Sequence, residues 1–249
     1  MNTTDALLLS LLILAAAALY SSVGHGGASG YLAAMALFGV APSAMKPTAL
    51  CLNILVASIA TFRFARAGCF RWRLFWPFAL ASIPLAFVGG MITLPTSLYK
   101  QVVGLTLLYA AFRLFRFTLA QAEAGAGGVR NAPLLPSMLL GGLIGLLSGL
   151  TGVGGGIFLS PLLLLMNWAD TRRTAGVSAA FILVNSVAGL LGNLTNLQAL
   201  PPALPYFALA AVVGGLAGSE FGSRHLASVT IRRLLAIVLV VAGVKMIFV

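Results

Sequence analysis

The sequence predicts an all-α, polytopic membrane protein composed of two inverted repeats of about five helical segments each. Of its 249 residues, 60% are hydrophobic and only 8% are charged, which is more apolar surface than one soluble globule can bury. Glycine-rich stretches at 24–27 and 152–156 interrupt the apolar runs and lie 128 residues apart, which is 152 minus 24. A polar, glycine-rich stretch near the middle separates two halves of similar length. Together these features indicate a duplicated membrane domain.

Ten apolar segments follow one another along the chain. Their bounds are 6–23, 28–41, 46–62, 74–94, 99–117, 134–151, 156–169, 174–194, 203–221 and 231–249. A helix rises 1.5 Å per residue and the apolar core of a bilayer is about 30 Å thick. Segments 28–41 and 156–169 are therefore too short to cross, and we expect half-helices or re-entrant segments that begin near Ala28 and Gly156. The first segment follows Asp5 without a preceding Lys or Arg, so we interpret it as a transmembrane helix rather than a signal peptide.

The basic residues between these segments predict the orientation of the chain in the membrane. All but three of the 15 Lys and Arg residues fall in four loops, which the positive-inside rule assigns to the cytoplasm. The others, Lys46, Lys100 and Lys245, then lie outside, and both termini are periplasmic. We expect a multi-pass protein of the bacterial inner membrane, with the lipid bilayer as its partner. Membrane orientation accounts for the net charge of +11, so nucleic acid is not an expected partner.

The polar stretch predicts the domain boundaries. We expect a first transmembrane repeat at 1–119, a cytoplasmic linker at 120–133 and a second repeat at 134–249. With a shift of 128 residues, identities concentrate in the glycine-rich stretches and where residues 54–60 match 182–188. An odd number of segments per half makes the second half enter the membrane from the opposite side. Inverted repeats of this kind are typical of secondary transporters, which bind their substrate between the halves.

The two glycine-rich stretches predict an anion site. We call residues 24–27 the first glycine segment and residues 152–156 the second glycine segment. A helix that begins within the membrane has unpaired N–H groups and a partial positive charge at its N-terminus, and preceding glycines let a ligand come close. The expected substrate-binding residues are Gly24, His25, Gly26, Gly27, Gly152, Gly154, Gly155 and Gly156. The alternative is that glycines only allow close helix crossing, and this interpretation suits the glycines that recur at a spacing of four: Gly141, Gly145, Gly149, Gly214, Gly218 and Gly222.

Polar side chains at membrane depth are further candidates. Ser178 and Asn185 share a helix face because they are seven residues apart, and we interpret them, together with Asn53, as ligand donors; hydrogen bonding between helices is the alternative. His25 could donate to an anion or couple transport to protons, since histidine titrates near neutral pH, or it could be structural. We expect Lys46 to be an interfacial lysine, with an attracting charge at the outer face as the alternative.

The chain lacks the residue patterns of an enzyme. Only four residues are acidic, and no His, Cys, Asp and Glu cluster has the spacing of metal ligands, so neither a metal nor a cofactor is expected. We expect Glu220 to pair with Arg224, four residues later on the same helix. Cys51 and Cys69 are interpreted as packing residues rather than as a disulfide.

The second glycine segment also carries a family resemblance. The run Gly-Val-Gly-Gly-Gly-Ile-Phe-Leu-Ser-Pro-Leu-Leu at 152–163, followed by Gly-Val-Ser at 176–178 and Phe-Ile-Leu-Val-Asn-Ser at 181–186, resembles the sulfite exporter TauE/SafE family of bacterial permeases. The resemblance covers nearly the whole chain as two related halves and is strongest in the second.

The resemblance implies transport of a small sulfur-containing anion, such as sulfite, a sulfonate or sulfoacetate. Combined with inverted repeats, it predicts a secondary transporter, acting as an exporter, that works by alternating access. An anion-selective channel is one alternative, and a non-transporting membrane subunit or assembly factor is another. A homodimer is left open.

Overall fold

Helices make up nearly all of the computed structural model, which describes residues 3–120, 131–224 and 229–248 and contains no β-strand within these ranges. The helices are α1 Thr3–Ser21, α2 Ala28–Leu37, α3 Pro42–Arg66, α4 Trp72–Met91, α5 Thr96–Ala120, α6 Leu134–Thr151, α7 Gly156–Leu165, α8 Thr171–Gly192, α9 Leu204–Arg224 and α10 Val229–Phe248, with a short 3-10 helix at Leu194–Ala199. The predicted linker at 120–133 falls mostly outside the described residues, so the domain boundaries stay predictions.

Among the described residues, five helices, α1, α3, α4, α6 and α8, are long and apolar enough to cross a bilayer, judged by length and composition. Helices α2 and α7 have 10 residues each, which corresponds to about 15 Å at the rise of an α-helix. They begin at Ala28 and Gly156, directly after the two glycine segments. The protein is therefore a polytopic all-α membrane protein with short helices after its glycine-rich motifs, as the sequence predicts.

The backbone has the same unusual conformations at both ends of α2 and α7. Gly27 and Gly155, at equivalent positions, cap the two helix starts in left-handed conformations with φ of 98° and 80°. After the last turn, Gly39 and Asn167 are again equivalent, with φ of 68° and 54°. The residue at the second of these sites is an asparagine, the non-glycine type that best tolerates positive φ. Repetition of these unusual angles supports a structural repeat beyond shared apolar composition.

The equivalent helices α3 and α8 pack against each other in opposite directions. At one end of the pair, the Leu50 side chain lies 3.6 Å from where a Cβ on Gly189 would sit. At the other end, Phe64 belongs to the same small cluster as Ala175. Parallel repeats would bring equivalent helices together in the same direction. The antiparallel pairing makes the repeats inverted.

Close crossings account for the glycines of α6 and α9. Gly141, Gly145 and Gly149 lie against the backbone of α4, and Gly214 and Gly218 lie against the backbone of α1. A methyl group at any of these positions would collide with a carbonyl oxygen of the neighbouring helix, which agrees with the packing interpretation of this spacing. The surroundings of Gly222 lie outside the described residues.

An ion pair joins the two repeats at the ends of α3 and α9. Arg63 donates to the carboxylate of Glu220, a contact across 157 residues of sequence that helical spacing does not predict. The side chain of Arg224, the expected partner, lies outside the described residues.

Candidate ligand site at the glycine segments

Asn53 of α3 lies between the two glycine segments and is fully buried. Its amide Nδ2 donates to the backbone carbonyl of Val153 at 3.3 Å. A Cβ placed on Gly26 would lie 2.5 Å from Oδ1 of Asn53, and a Cβ placed on Gly154 would lie 2.7 Å from Nδ2. One amide thus fills the space left by a missing side chain in both segments. The two segments therefore meet at this residue.

Both short helices begin beside this contact. Their N-caps, Gly27 and Gly155, each follow a glycine that touches Asn53, and neither provides a side chain to cap the first turn. The first N–H groups of a helix have no acceptor within the helix. The aligned peptide dipoles add roughly half a positive charge at each start. Two such ends at one buried point form an environment suited to a small anion.

Ile182 of α8 packs against both glycine segments. Its Cγ2 would lie 3.0 Å from a Cβ on Gly26 and 2.8 Å from one on Gly154, and its Cδ1 faces Gly156. Its side chain is almost completely buried. Ile182 matches Ile54 where residues 54–60 align with 182–188. Identity of an apolar residue does not by itself indicate a role in a binding site. Ile182 forms an apolar wall beside the contact.

A chain of hydrogen bonds runs from the first glycine segment into the second repeat. Nε2 of His25 lies 3.0 Å from Oγ of Ser160 in α7, which lies 2.8 Å from Oγ of Ser178 in α8. The other ring nitrogen, Nδ1, lies 3.2 Å from the carbonyl oxygen of Val23. These contacts tie His25 to the second repeat.

The partners of His25 determine the direction of this chain. A carbonyl oxygen can only accept, so we assign the hydrogen of the neutral ring to Nδ1. Nε2 then accepts from Ser160, and Ser160 accepts from Ser178. A proton added at Nε2 would turn that nitrogen into a donor. The hydroxyl of Ser160 would then accept from His25 and donate to Ser178, so the direction of both hydrogen bonds would reverse. The chain therefore provides a physical route by which the state of His25 reaches α8.

The buried polar atoms without a hydrogen-bond partner in the described part of the chain include Oδ1 of Asn53 beside Gly26, Oγ of Ser186 beside Gly154, and Oδ1 of Asn185 in α8. Ser186 Oγ would lie 3.1 Å from a Cβ on Gly154. Nδ2 of Asn185 donates to the carbonyl of Phe181, one turn earlier in α8, at 2.7 Å. An unpaired buried polar atom costs about 1–3 kcal/mol. Binding of a ligand or water that pairs with these atoms would remove this cost.

The remaining glycines of the segments face neighbouring helices. Gly24 lies against the backbone of Ala175, and Gly152 lies against the backbone of Lys46. The structure thus brings Gly26, Gly154 and Asn53 to one point, while these two glycines permit close approach of α8 and α3. Among the described residues, no group of three or more His, Cys, Asp and Glu side chains could hold a metal ion.

Lys46 differs from the expected interfacial lysine. Its side chain is buried, with 7% exposure, and Nζ donates to the carbonyls of Gly89, Gly90 and Ile92 at 3.2, 2.9 and 3.2 Å. These carbonyls end α4, where a cation is favoured by the helix dipole. Backbone acceptors have no sequence signature, so the interfacial interpretation was wrong for a reason that only the fold reveals.

The chain is similar to known membrane proteins along nearly its whole length. The family model for the sulfite exporter TauE/SafE matches residues 9–246, which include both segments. This chain belongs to the TauE/SafE family. A probable membrane transporter protein of Sinorhizobium fredii is 39% identical to this TauE/SafE protein over 245 residues, covering 98% of this chain and 99% of its own length.

More distant TauE/SafE relatives come from an archaeon and a plant. A probable membrane transporter protein of Methanocaldococcus jannaschii is 28% identical over 204 residues, which cover 76% of this chain and 73% of its own. Sulfite exporter TauE/SafE family protein 1 of Arabidopsis thaliana is 35% identical over 99 residues, or 40% of this chain and 21% of its own length. No solved structure matches the chain. Family membership and the helical fold together make this protein a multi-pass membrane transporter.

Proposed function

We propose that this TauE/SafE protein is a secondary transporter that exports small sulfur-containing anions, such as sulfite, sulfonates or sulfoacetate. The observation that carries the proposal is the meeting of both glycine segments at Asn53, beside the starts of α2 and α7. An oxyanion offers acceptors to the N–H groups of both helix starts and matches their positive ends. The sulfite exporter name of the family supports sulfur oxyanions as the class.

Alternating access is the proposed mechanism. Asn53, Ser178 and Asn185 are completely buried, so a bound anion would be closed off from both faces. Inverted repeats provide two related bundles that can move against each other and open the site to one side at a time. We retain 1–119 and 134–249 as these repeats and propose periplasmic termini in the bacterial inner membrane, because that orientation puts most basic residues in the cytoplasm.

Ligand binding by purified protein tests the site. We expect sulfite, taurine or sulfoacetate to raise the unfolding temperature, because a ligand that binds only the folded state stabilises it, by about 2.7 kcal/mol at a hundredfold excess over Kd. Sulfate and thiosulfate are included to define selectivity. Gly154→Leu should remove the shift, because its side chain would occupy the space beside Asn53. A folded protein that responds to none of the five anions would contradict the proposal.

Counterflow in proteoliposomes distinguishes a transporter from the alternatives. A transporter loaded with unlabelled substrate should accumulate labelled substrate transiently, and its flux should saturate. An anion channel would show neither behaviour. A membrane subunit or assembly factor without transport activity would keep its function when Gly154 is replaced by leucine.

A further inference from the structure

A cavity of about 250 Å³ lies where α3 begins and α4 ends. Its polar lining residues are Ser43, Lys46, Thr93, Thr96, Tyr99 and Asn193. The residues Ser43, Thr93 and Thr96 are exposed and form its mouth, whereas the side chains of Lys46 and Tyr99 are buried at its base. We call this space the Lys46 cavity. It is distinct from the contact at Asn53, which it does not include.

The geometry around Nζ of Lys46 favours a charged ammonium group. Three backbone carbonyls, those of Gly89, Gly90 and Ile92, lie within 2.9–3.2 Å of this nitrogen. Each carbonyl can only accept, so three N–H donors are needed, and a neutral amine has two. In its ammonium form, Lys46 can donate to all three carbonyls and places a positive charge at the base of the cavity.

That charge has no carboxylate counterion in the cavity. The end of α4 contributes roughly half a negative charge through its dipole, which offsets only part of the ammonium. In the part of the chain that the structure describes, Asp170 pairs with Arg173 and Glu220 pairs with Arg63, and no acidic residue lines the cavity. The three carbonyls hydrogen-bond the ammonium group, but a buried charge without a counterion is still unfavourable. An anion in the cavity would relieve this cost.

The base of the cavity adjoins the second glycine segment. A Cβ on Gly152 would lie 3.3 Å from Cα and 3.5 Å from Cγ of Lys46. The hydroxyl of Tyr99 donates to the carbonyl of Thr151 at 3.3 Å, and Leu150 lines the cavity itself. Three successive residues at the end of α6 thus connect the cavity wall to the segment. The Lys46 cavity and the second glycine segment are therefore neighbours in the fold.

We propose that the Lys46 cavity is a second anion subsite, where a small sulfonate or oxyanion is held between the solvent and the glycine segments. The ligand class of this subsite rests on the proposed function, but its positive charge comes from Lys46 rather than from the starts of α2 and α7. A water molecule occupies about 30 Å³ of liquid, so the cavity holds such an anion with several waters. Hydroxyls of Ser43 and Thr96 at the mouth can donate to its oxygens. In the proposed orientation this is the periplasmic side, where an exporter releases substrate.

Charge-selective labelling of a cysteine at the mouth tests the subsite. In a Cys51→Ala, Cys69→Ala background, Thr93→Cys is treated with an anionic ethylsulfonate or a cationic ethyltrimethylammonium methanethiosulfonate reagent. We expect the ratio of anionic to cationic labelling rates to fall about tenfold when Lys46→Gln is added, because a nearby charge of one unit is removed. An unchanged ratio would overturn the proposal.

Two lysines provide matched controls. Lys100 follows Tyr99 in α5 at the same end of the molecule but does not line the cavity, so Lys100→Gln controls for loss of a charge. Nζ of Lys245 donates to the carbonyl of Leu37 at the end of α2, at 2.9 Å, so Lys245→Gln controls for loss of a lysine that caps a helix. Both should leave the labelling ratio within about twofold. A tenfold fall in either variant would contradict a specific role for Lys46.

Protection by anions separates binding from attraction. Methanesulfonate or sulfate should slow labelling of Thr93→Cys when Lys46 is present and should have no effect with Lys46→Gln. Absence of protection by either anion in the protein that retains Lys46 overturns the subsite, and this measurement stands even if Lys46→Gln does not fold. Adding Gly26→Ala should leave protection of Thr93→Cys intact. Loss of binding at the glycine segments is thereby distinguished from loss of binding in the Lys46 cavity.

Discussion

Asn53 of the first repeat donates from Nδ2 to the carbonyl of Val153 in the second repeat, at 3.3 Å. This bond joins α3 to the second glycine segment, and the same amide packs against Gly26 of the first segment. The other polar atom of the amide, Oδ1, is buried without a partner within the described residues. Asn53 therefore bonds to one segment, packs against the other and has capacity for one further contact. Its replacement tests both properties.

Asn53→Ala should abolish stabilisation by the anion that binds best in the thermal-shift screen. It should also lower the free energy of unfolding by about 1 kcal/mol for the lost hydrogen bond, with an additional cost from the cavity. Ser58→Ala is the control, because the Ser58 hydroxyl donates only within α3, to Ile54, and is exposed. A retained thermal shift in Asn53→Ala would show that the amide is not part of the site.

Gly26→Ala should block binding with little disturbance of the helices. The added Cβ would meet Oδ1 of Asn53 at 2.5 Å, and Gly26 has no positive φ that an alanine would strain. The matched control is Gly39→Ala, where φ is 68° and no atom lies within 4 Å of the added Cβ. We expect Gly39→Ala to lower stability but to keep the anion response. If Gly26→Ala kept the anion response and Gly39→Ala lost it, relief of backbone strain, rather than space for a ligand, would explain the glycines.

Ser160→Ala should destabilise the protein before any ligand is added. It removes the hydrogen bonds that join Oγ of Ser160 to Nε2 of His25 and to Oγ of Ser178, at about 0.5–1.5 kcal/mol for each bond. Ser10→Ala is a suitable control, since its hydroxyl donates only within α1, to Ala6. Chemical denaturation in detergent measures both. Equal stability of Ser160→Ala and the parent protein would mean that the chain of hydrogen bonds contributes nothing.

Two neighbouring glycines of α6 should respond oppositely to alanine. At Gly145 the new methyl group collides with the carbonyl of Ser82, so we expect a loss of about 1–3 kcal/mol from overpacking. At Gly142 the nearest atom is Cδ1 of Leu85, at 2.8 Å, the end of a side chain that can rotate away. Helix propensity favours alanine by about 1 kcal/mol, so Gly142→Ala should be neutral or stabilising. Thermal unfolding decides, and a stabilising Gly145→Ala would refute the close crossing of α4 and α6.

The ends of the short helices could be predicted because their signals are local. A run of glycines followed by an apolar run is sufficient to start a helix, and α2 and α7 begin at Ala28 and Gly156 as expected. The partners of the site could not be predicted in the same way. Ser160 lies within the apolar half-helix that carries the family resemblance, yet its contact with His25 spans 135 residues. No spacing rule connects positions so far apart.

By itself, the sequence determined that this is a duplicated all-α membrane protein with two interrupted helices, because composition and glycine placement act over a few turns of chain. Tertiary structure alone decided that Asn53 is shared by both glycine segments and that Lys46 binds the carbonyl end of α4. Both are contacts with backbone atoms of distant residues. Every residue type offers the same carbonyl oxygen, so packing of the inverted repeats, rather than side-chain identity, selects these partners.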